Sequence, residues 1–260
     1  MRVWIVRALV LAGLSLLGTL LHLVLAPRGL AWIVWALGAL VLAFLALELA
    51  LRARRRAGRE GDEERWRASL EDPALRRAAV RELRARIERA RRLGPRTRVE
   101  HARLATVLAE LLVAGGEPEQ AIAALAKVPL DQLAPIEAAV VRHARAQAYL
   151  AAGDLDGAEV ALAPLGERAG DEVLDAAIAL ARAALALGRG AWDDAERIAA
   201  AVAEAHDDEE LRGEATALRA ACASARGDAE GARALAASIH PEQRRRLALL
   251  GPASLRAVLA

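Results

Sequence analysis

The sequence predicts an all-α protein in which an N-terminal transmembrane helical hairpin precedes an α-solenoid of about four helix-pair repeats. Two long uncharged segments near the N-terminus and a set of glycines spaced by 37 residues predict this architecture. Composition agrees, because hydrophobic residues make up 55% of the 260 residues and aromatic residues only 3%. Such a balance departs from that of an average soluble domain. We therefore expect part of the chain to lie in lipid.

The first unit, residues 1–51, is predicted to be a two-span transmembrane hairpin. Ala8–Ala26 is a run of 19 residues without formal charge, which as a helix spans about 28 Å, close to the thickness of a bilayer core. Leu30–Leu47 forms a second such run, and Pro27 to Gly29 break the chain between them. A cleaved signal peptide is the alternative, but Pro27 is a poor residue after a cleavage site and a second span follows directly.

Arginines on both sides of the hairpin predict its orientation, because positive charge resists translocation. Arg2 and Arg7 precede the first span, and a cluster from Arg52 to Arg59 follows the second. We therefore expect the hairpin to be integral to a bacterial-type inner membrane, with both termini and the remainder of the chain in the cytoplasm.

A basic neck, residues 52–98, follows the hairpin with 17 arginines against 8 acidic residues. Its juxtamembrane part is predicted to face anionic lipid, since each basic residue there contributes about 1 kcal/mol of attraction. These lipid-facing residues are Arg52, Arg54, Arg55, Arg56 and Arg59. Nucleic acid is an unlikely partner, because the neck lacks a base-reading motif and residues 99–260 carry 25 acidic against 16 basic residues.

Two short helices are predicted within the neck. Asp62 can cap the first, which carries Trp66 and Leu70 on one face, and Pro73 can begin the second. The second helix, about 74–93, has an apolar stripe formed by Leu75, Ala79, Leu83, Ile87 and Ala90. This stripe either lies on the membrane surface or caps the first repeat of the solenoid.

The repeat array is predicted over residues 99–249. Gly116, Gly153, Gly190 and Gly227 follow one another at intervals of 37 residues. Alanines keep the same register, at Ala109, Ala146, Ala183 and Ala220 before the glycines and at Ala121, Ala158, Ala195 and Ala232 after them. A glycine permits a tight turn after one helix, and alanines allow paired helices to approach closely. Each period is therefore interpreted as two helices.

This register resembles the tetratricopeptide repeat family, and the segment from Ala146 through Tyr149 and Gly153 to Ala158 matches that pattern best. Trp192 fills the bulky turn position of the third repeat. The resemblance covers about residues 102–249. The period departs from the family's 34 residues, Tyr149 has no aromatic counterpart in the other repeats, and the late proline is missing, so related helical-hairpin repeats remain an alternative.

The sequence predicts where three of the A helices begin and which helices cap the C-terminal end of the array. Pro135 can open the second A helix, and Asp171 and Asp207 are candidate N-caps of the third and fourth. Two short terminal helices, Pro241–Leu250 and Pro252–Leu259, are expected to cover the last apolar face, so that residues 250–260 act as a C-terminal capping helix. Their covering residues would be Leu247, Leu250, Leu255, Val258 and Leu259.

The resemblance implies a concave groove lined by the first helix of each repeat. The positions it assigns to this groove are Arg103, Thr106, Glu110, Val140, His143, Gln147, Ala177, Leu180, Ala184, Glu214, Ala217 and Ala221. The groove turns from polar to small and apolar along its length, which favours an amphipathic helix or a leucine-rich segment as partner. Internal packing of these positions, or packing against the C-terminal helices, is the alternative.

No catalytic, cofactor-binding or metal-binding site is predicted. The five histidines are widely spaced, and Cys222 lies among alanines, as a small buried residue would. The sequence therefore predicts a membrane-anchored scaffold, not an enzyme, that recruits a protein partner through its groove. Two alternatives are a structural subunit that docks through its hairpin in a larger membrane complex and a membrane enzyme with an unrecognised site.

Overall fold

A computed structural model describes residues 61–62, 65–66, 68–166 and 169–259. The chain divides into two compact units, residues 1–64 and 65–260. The predicted hairpin and the basic cluster from Arg52 to Arg59 lie outside the described residues. Within the described residues, no helix combines the length and the apolar character needed to cross a bilayer. The second unit is all-α over its described residues.

Eleven α-helices are present in the described part of the second unit. They are α1 (Pro73–Arg92), α2 (Arg98–Ala114), α3 (Pro118–Ala126), α4 (Pro135–Ala152), α5 (Leu155–Leu162), α6 (Glu172–Gly188), α7 (Trp192–Ala205), α8 (Glu209–Ala225), α9 (Ala229–Ser238), α10 (Pro241–Leu250) and α11 (Ala253–Leu259). Short 3₁₀ turns, Gly94–Thr97 and Leu130–Gln132, precede α2 and α4.

Helix α1 covers the first face of the array. The Asp72 carboxylate caps its N-terminus by accepting hydrogen bonds from the amides of Ala74 and Leu75, at 2.7 and 3.2 Å. Ala79, Leu83 and Ala90 of the predicted stripe are buried, and α1 packs on α2. Leu75 was expected in the same stripe, but it is exposed.

Trp66, which precedes α1, is buried as its predicted position on an apolar face requires. The guanidinium carbons of Arg86 and Arg103 lie 5.4 and 5.6 Å from its ring centroid. Leu70, predicted to share its face, is also buried in the core that contains Leu83. Cation–π contacts of this kind stabilise packing by about 0.5–2 kcal/mol, and they fix the segment before α1 onto the first repeat.

Helices α2 to α9 form four antiparallel pairs that stack into a solenoid-like array. Each helix contacts its partner, and the first helices of successive pairs (α2, α4, α6 and α8, the A helices) also contact one another. The glycine after each A helix has a positive φ between 78° and 86°, a conformation that strains any residue with a side chain. The alanines in register with these glycines are buried. The predicted period of 37 is confirmed.

Arginines 37 residues apart join the A helices α4 and α6 to the C-terminal end of the preceding second helix or to the turn that follows it. Arg145 on α4 donates from Nη2 to the carbonyl of Leu125, at 2.8 Å, and Arg182 on α6 donates to the carbonyl of Leu165. Carbonyls at a helix end have no partner within the helix. Helices α4 and α6 therefore each supply a hydrogen-bond donor to the repeat before them.

A second arginine period adds ion pairs between repeats. Arg189 lies 3.1 Å from Asp156 and 2.8 Å from Glu159, on the second helix of the preceding pair. Thirty-seven residues later, Arg226 contacts Asp193, at 2.7 Å, and Glu196. These ion pairs lie at the surface, where such interactions contribute little to stability unless they form networks. We therefore interpret them as setting the register between successive helix pairs.

The starts of the A helices agree with the prediction in two of three cases. Pro135 is the first residue of α4, and Asp171 accepts a 3.0 Å hydrogen bond from the amide of Leu174. The fourth N-cap is Asp208, which accepts a 3.1 Å hydrogen bond from the amide of Leu211, so the prediction of Asp207 was wrong. Asp208 lies 37 residues after Asp171, and only from that position does the carboxylate reach the third amide of α8.

The two C-terminal helices are present but cover different surfaces. Helix α11 packs on α8 and α9 with Leu255 and Leu259 buried, as expected for a cap. Helix α10 instead turns back across the array and contacts both α8 and α2. Leu250 thus packs against the N-terminal core, and its predicted place on the last apolar face was wrong. Leu247 remains partly buried against the C-terminal core.

Candidate functional site

The A helices and α10 enclose a cavity of about 380 Å³. Residues at intervals of three, four and seven share one face of a helix, so four parallel A helices present one continuous surface to it. Eight of the predicted groove residues line the cavity: Thr106, Glu110, Val140, His143, Gln147, Ala177, Ala184 and Glu214. The structure therefore brings together residues from all four repeats.

The other predicted groove residues lie elsewhere. Leu180, Ala217 and Ala221 are buried in the C-terminal core, because they point between neighbouring helices and away from the concave face. Arg103 lies over Trp66 and is 3.6 Å from Glu100, so it belongs to the packing of the first repeat. The helical period alone does not separate a groove face from an inter-helix face.

Three polar side chains meet inside the cavity. Gln147 Nε2 and His143 Nε2 are 3.4 Å apart on successive turns of α4. Gln147 also lies next to the carboxyl group of Glu214 on α8, and His143 lies next to the backbone of Ala177 on α6. Polar side chains of the second and the fourth repeat therefore face the same cavity.

Burial shifts both titratable groups of this set toward their neutral forms. It lowers the pKa of His143 to about 4, against a smaller opposing effect of the hydrogen bond to Ala177. It raises the pKa of Glu214 to about 7, against the opposing effects of Arg246 and of the hydrogen bond from Gln147. Between these values the cavity holds a neutral histidine and a neutral carboxylic acid.

Helix α10 closes the groove through polar contacts at its N-terminal half. Gln243 Nε2 donates to the carbonyls of Glu209 and Glu210, at 3.1 and 2.7 Å. Arg246 lies 3.0 Å from the Glu210 carboxylate, and Arg245 lies 3.5 Å from Glu71. The helix is thus held by acidic groups on two sides.

Leucines of α10 supply the apolar half of the closure. Leu247 and Leu250 line the cavity beside Val113 on α2 and Leu211 on α8. The sequence indicated two terminal helices but not this placement. The spacing of Leu247 and Leu250 by one helical turn, downstream of basic residues, is the amphipathic signal that could have suggested it.

The second residue of each of the first three A helices is aliphatic and exposed, and together these residues form an aliphatic row. Val99, Ile136 and Val173 are spaced by 37 residues, and all three are exposed. The fourth position is Glu210, the residue that holds Arg246. Val173 also lines the cavity, so the row adjoins the groove. Three exposed aliphatic side chains at the same repeat position indicate a surface available for contact.

Reactive groups are sparse in the described residues. Cys222 is buried, as predicted, and burial raises the pKa of its thiol, which disfavours the nucleophilic thiolate. Within residues that the structure describes, no three histidine, cysteine or acidic side chains are grouped as metal ligands would be.

Comparison of the chain with protein-family models, with curated proteins and with solved structures found no match.

Proposed function

We propose that this protein is a membrane-anchored scaffold that recruits a protein partner through the concave face of its repeat array. The observation that carries the proposal is α10 itself, a helix seated against the A helices with its leucines inward. A surface that holds one amphipathic helix has the width and the chemistry to hold another.

The chemistry of the groove specifies the partner further. Its wall combines aliphatic side chains such as Val140 and Val173 with carboxylates, of which Glu210 pairs with Arg246 of α10. Helix α10 matches both features with Leu247 and with basic residues beside it. We infer that the partner segment is an amphipathic helix with leucines on one face and arginine or lysine at its border.

The exposed row of Val99, Ile136 and Val173 supports this proposal. It extends from the closed groove to the first repeat and leaves apolar side chains open to solvent. A partner helix can therefore pack on this row beside α10 and contact the part of the groove wall, such as Val140, that α10 leaves exposed.

The membrane anchor in this proposal is supported by the sequence. Two uncharged runs and the flanking arginines favour a hairpin in the inner membrane with the array in the cytoplasm. The cluster from Arg52 to Arg59 would bind anionic lipid. We propose further that the array is of the tetratricopeptide type, supported by helix pairs with a left-handed glycine at each turn.

Site-specific photo-crosslinking in native membranes tests the groove. A photoreactive residue replaces Val140, which lines the cavity, or Val160 on α5, which is exposed on a second helix of the array. We expect discrete adducts from position 140 that are absent from position 160. The double variant His143→Gln, Gln147→Ala should weaken those adducts without loss of helicity.

The control compares the same membranes after replacement of Arg197, which pairs with Asp194 on the surface of α7 and lies outside the groove. Arg197→Ala should leave the adducts unchanged. Adducts that form from position 160 but not from position 140 would assign recruitment to the outer surface and contradict the groove proposal.

A further inference from the structure

Two further cavities lie among α1, α2 and α3, away from the groove. Their volumes are about 360 and 240 Å³, and they share Arg91, His101 and Lys127 as lining residues. Arg98 borders the smaller cavity. The residues common to both therefore form a junction where two spaces meet.

His101 at this junction is buried with an unsatisfied ring nitrogen. The residue is 6% exposed, and within the described part of the chain its Nε2 has no hydrogen-bond partner. Leaving a buried polar nitrogen unpaired costs about 1–3 kcal/mol, and native proteins keep few such groups. A ligand atom that accepts a hydrogen bond from Nε2 would remove this cost.

Positive charge surrounds His101. The side chains of Arg98 and Lys127 make no hydrogen bond or ion pair with other described residues. Arg91 pairs with Glu88, at 2.9 Å, which is the acidic group that lines the larger cavity. Lys127 at the junction and Arg98 in the smaller cavity are therefore not neutralised by a described acidic group.

The charge state of His101 fits a site for an anion. Burial lowers the pKa of its ring, and the charge of Arg91 lowers it further, against an opposing effect of Glu88. An anion bound at the junction would offset the repulsion from Arg91 and favour protonation of the ring. Binding and the proton affinity of His101 are therefore linked.

Apolar side chains line one part of the larger cavity, beside Arg84, which donates a 2.6 Å hydrogen bond to Gln120 Oε1. Ile87 of α1, Leu108 and Leu112 of α2, and Ala124 of α3 face it. A free inorganic anion would not use these surfaces. A molecule with an anionic end at the junction and an organic part between α1 and α3 would use both.

We propose that His101, Arg98 and Lys127 form a binding site for a phosphate ester whose organic part extends between α1 and α3. Arginine and lysine donate charge-assisted hydrogen bonds to phosphate oxygens, and His101 Nε2 donates a third. The ester comes from a soluble phosphomonoester or from a phospholipid headgroup, since both present the same phosphate chemistry. The site is independent of the groove and of the partner proposed for it.

Titration calorimetry on the full chain in neutral detergent tests this site with three soluble probes. Phenyl phosphate represents a soluble ester, dihexanoyl phosphatidic acid represents the headgroup with acyl chains, and dihexanoyl phosphatidylcholine is the zwitterionic control. Lys127→Ala should weaken binding of the favoured probe by about tenfold, and Arg98→Ala should have a similar effect. Arg81→Ala on the exposed face of α1 is the matched control and should bind as the wild type does.

A second readout follows His101 directly. In NMR titrations the wild-type imidazole of His101 should show a higher pKa with the probe bound than without it, and Lys127→Ala should reduce that difference. Binding of phenyl phosphate identifies a soluble ester as sufficient, whereas binding of phosphatidic acid alone identifies the headgroup. The proposal is wrong if neither anionic probe binds, or if both bind to Lys127→Ala and Arg98→Ala as tightly as to the wild type.

Discussion

The side-chain amide of Gln243 on α10 lies directly over Gly213 of α8, in the space that a Cβ atom at position 213 would occupy. The same amide donates to the carbonyls of Glu209 and Glu210. A glycine within a helix is normally unfavourable by about 0.5–1 kcal/mol relative to alanine. Here its small size allows α10 to dock on the groove.

Gly213→Ala should therefore loosen α10 while α8 itself becomes more helical. The added methyl group displaces the flexible Gln243 amide and breaks its two hydrogen bonds to α8. Hydrogen–deuterium exchange should rise in Pro241–Leu250 and stay unchanged in α6. In a Gln243→Ala background, where no amide is displaced, Gly213→Ala should cause no further rise, and an equal rise there would contradict this account.

The stability of the protein should respond to pH through His143 and Glu214 in opposite directions. Between about pH 4 and 6.5 the unfolded chain protonates His143 and the folded one does not, so stability rises with pH. Between pH 4.5 and about 7 the folded protein retains the proton of Glu214 and the unfolded chain does not, so stability falls with pH. In the shared range the two effects oppose each other.

Neutral substitutions should separate these two contributions. Relative to the wild type, Glu214→Gln should make stability rise with pH between about 4.5 and 6.5, by at most about 1.4 kcal/mol per pH unit. His143→Gln should make it fall over the same range. Thermal unfolding followed by circular dichroism at several pH values measures both, and parallel curves for the two variants would contradict the assigned shifts.

Leu180 should act in stability and not in partner binding. It is fully buried in the C-terminal core, and replacing such a leucine with alanine costs about 2–5 kcal/mol. Leu180→Ala should lower the free energy of unfolding by that amount, whereas Val160→Ala at an exposed site should change it by about 0.5 kcal/mol or less. Chemical denaturation provides the measurement, and similar values for both variants would place Leu180 outside the core.

The turn glycines should be costly to replace in each repeat. Gly153 and Gly190 have φ values of 78° and 79°, and an alanine in this left-handed region costs about 1–2 kcal/mol. Gly153→Ala and Gly190→Ala should destabilise the array by similar amounts. Gly166→Ala is the control, because Gly166 has an ordinary φ and open space around it; a loss of stability there equal to that at Gly153 would argue against backbone strain as the cause.

The sequence predicted the repeat because the repeat depends on local rules. A left-handed turn requires glycine, as at Gly116, and a close helix contact requires alanine, as at Ala146. The two residue types therefore recur in the sequence at a fixed interval. The eight residues placed at the groove followed from the same register. Arg145 and Arg182 show the same interval, and a wider search of it could have indicated their role between repeats.

The placement of α10 could not be predicted in the same way. Its contacts with Glu71 and α2 join residues far apart in the chain, and no local pattern encodes such a pairing. Leu180 was assigned to the groove for a related reason: helical spacing selects a face of α6, but only the positions of the neighbouring helices decide whether that face is open or buried. The site around His101 likewise depends on three helices meeting.

The return of α10 to α2 changes how the array can come apart. A linear stack of repeats contacts only its neighbours and can fray from either end, one pair at a time. Here the contact of Arg245 with Glu71 and the packing of Leu250 near α2 connect the last helices to the first. Loss of either terminal pair also breaks these contacts, so the ends of this array separate less readily than those of an open stack.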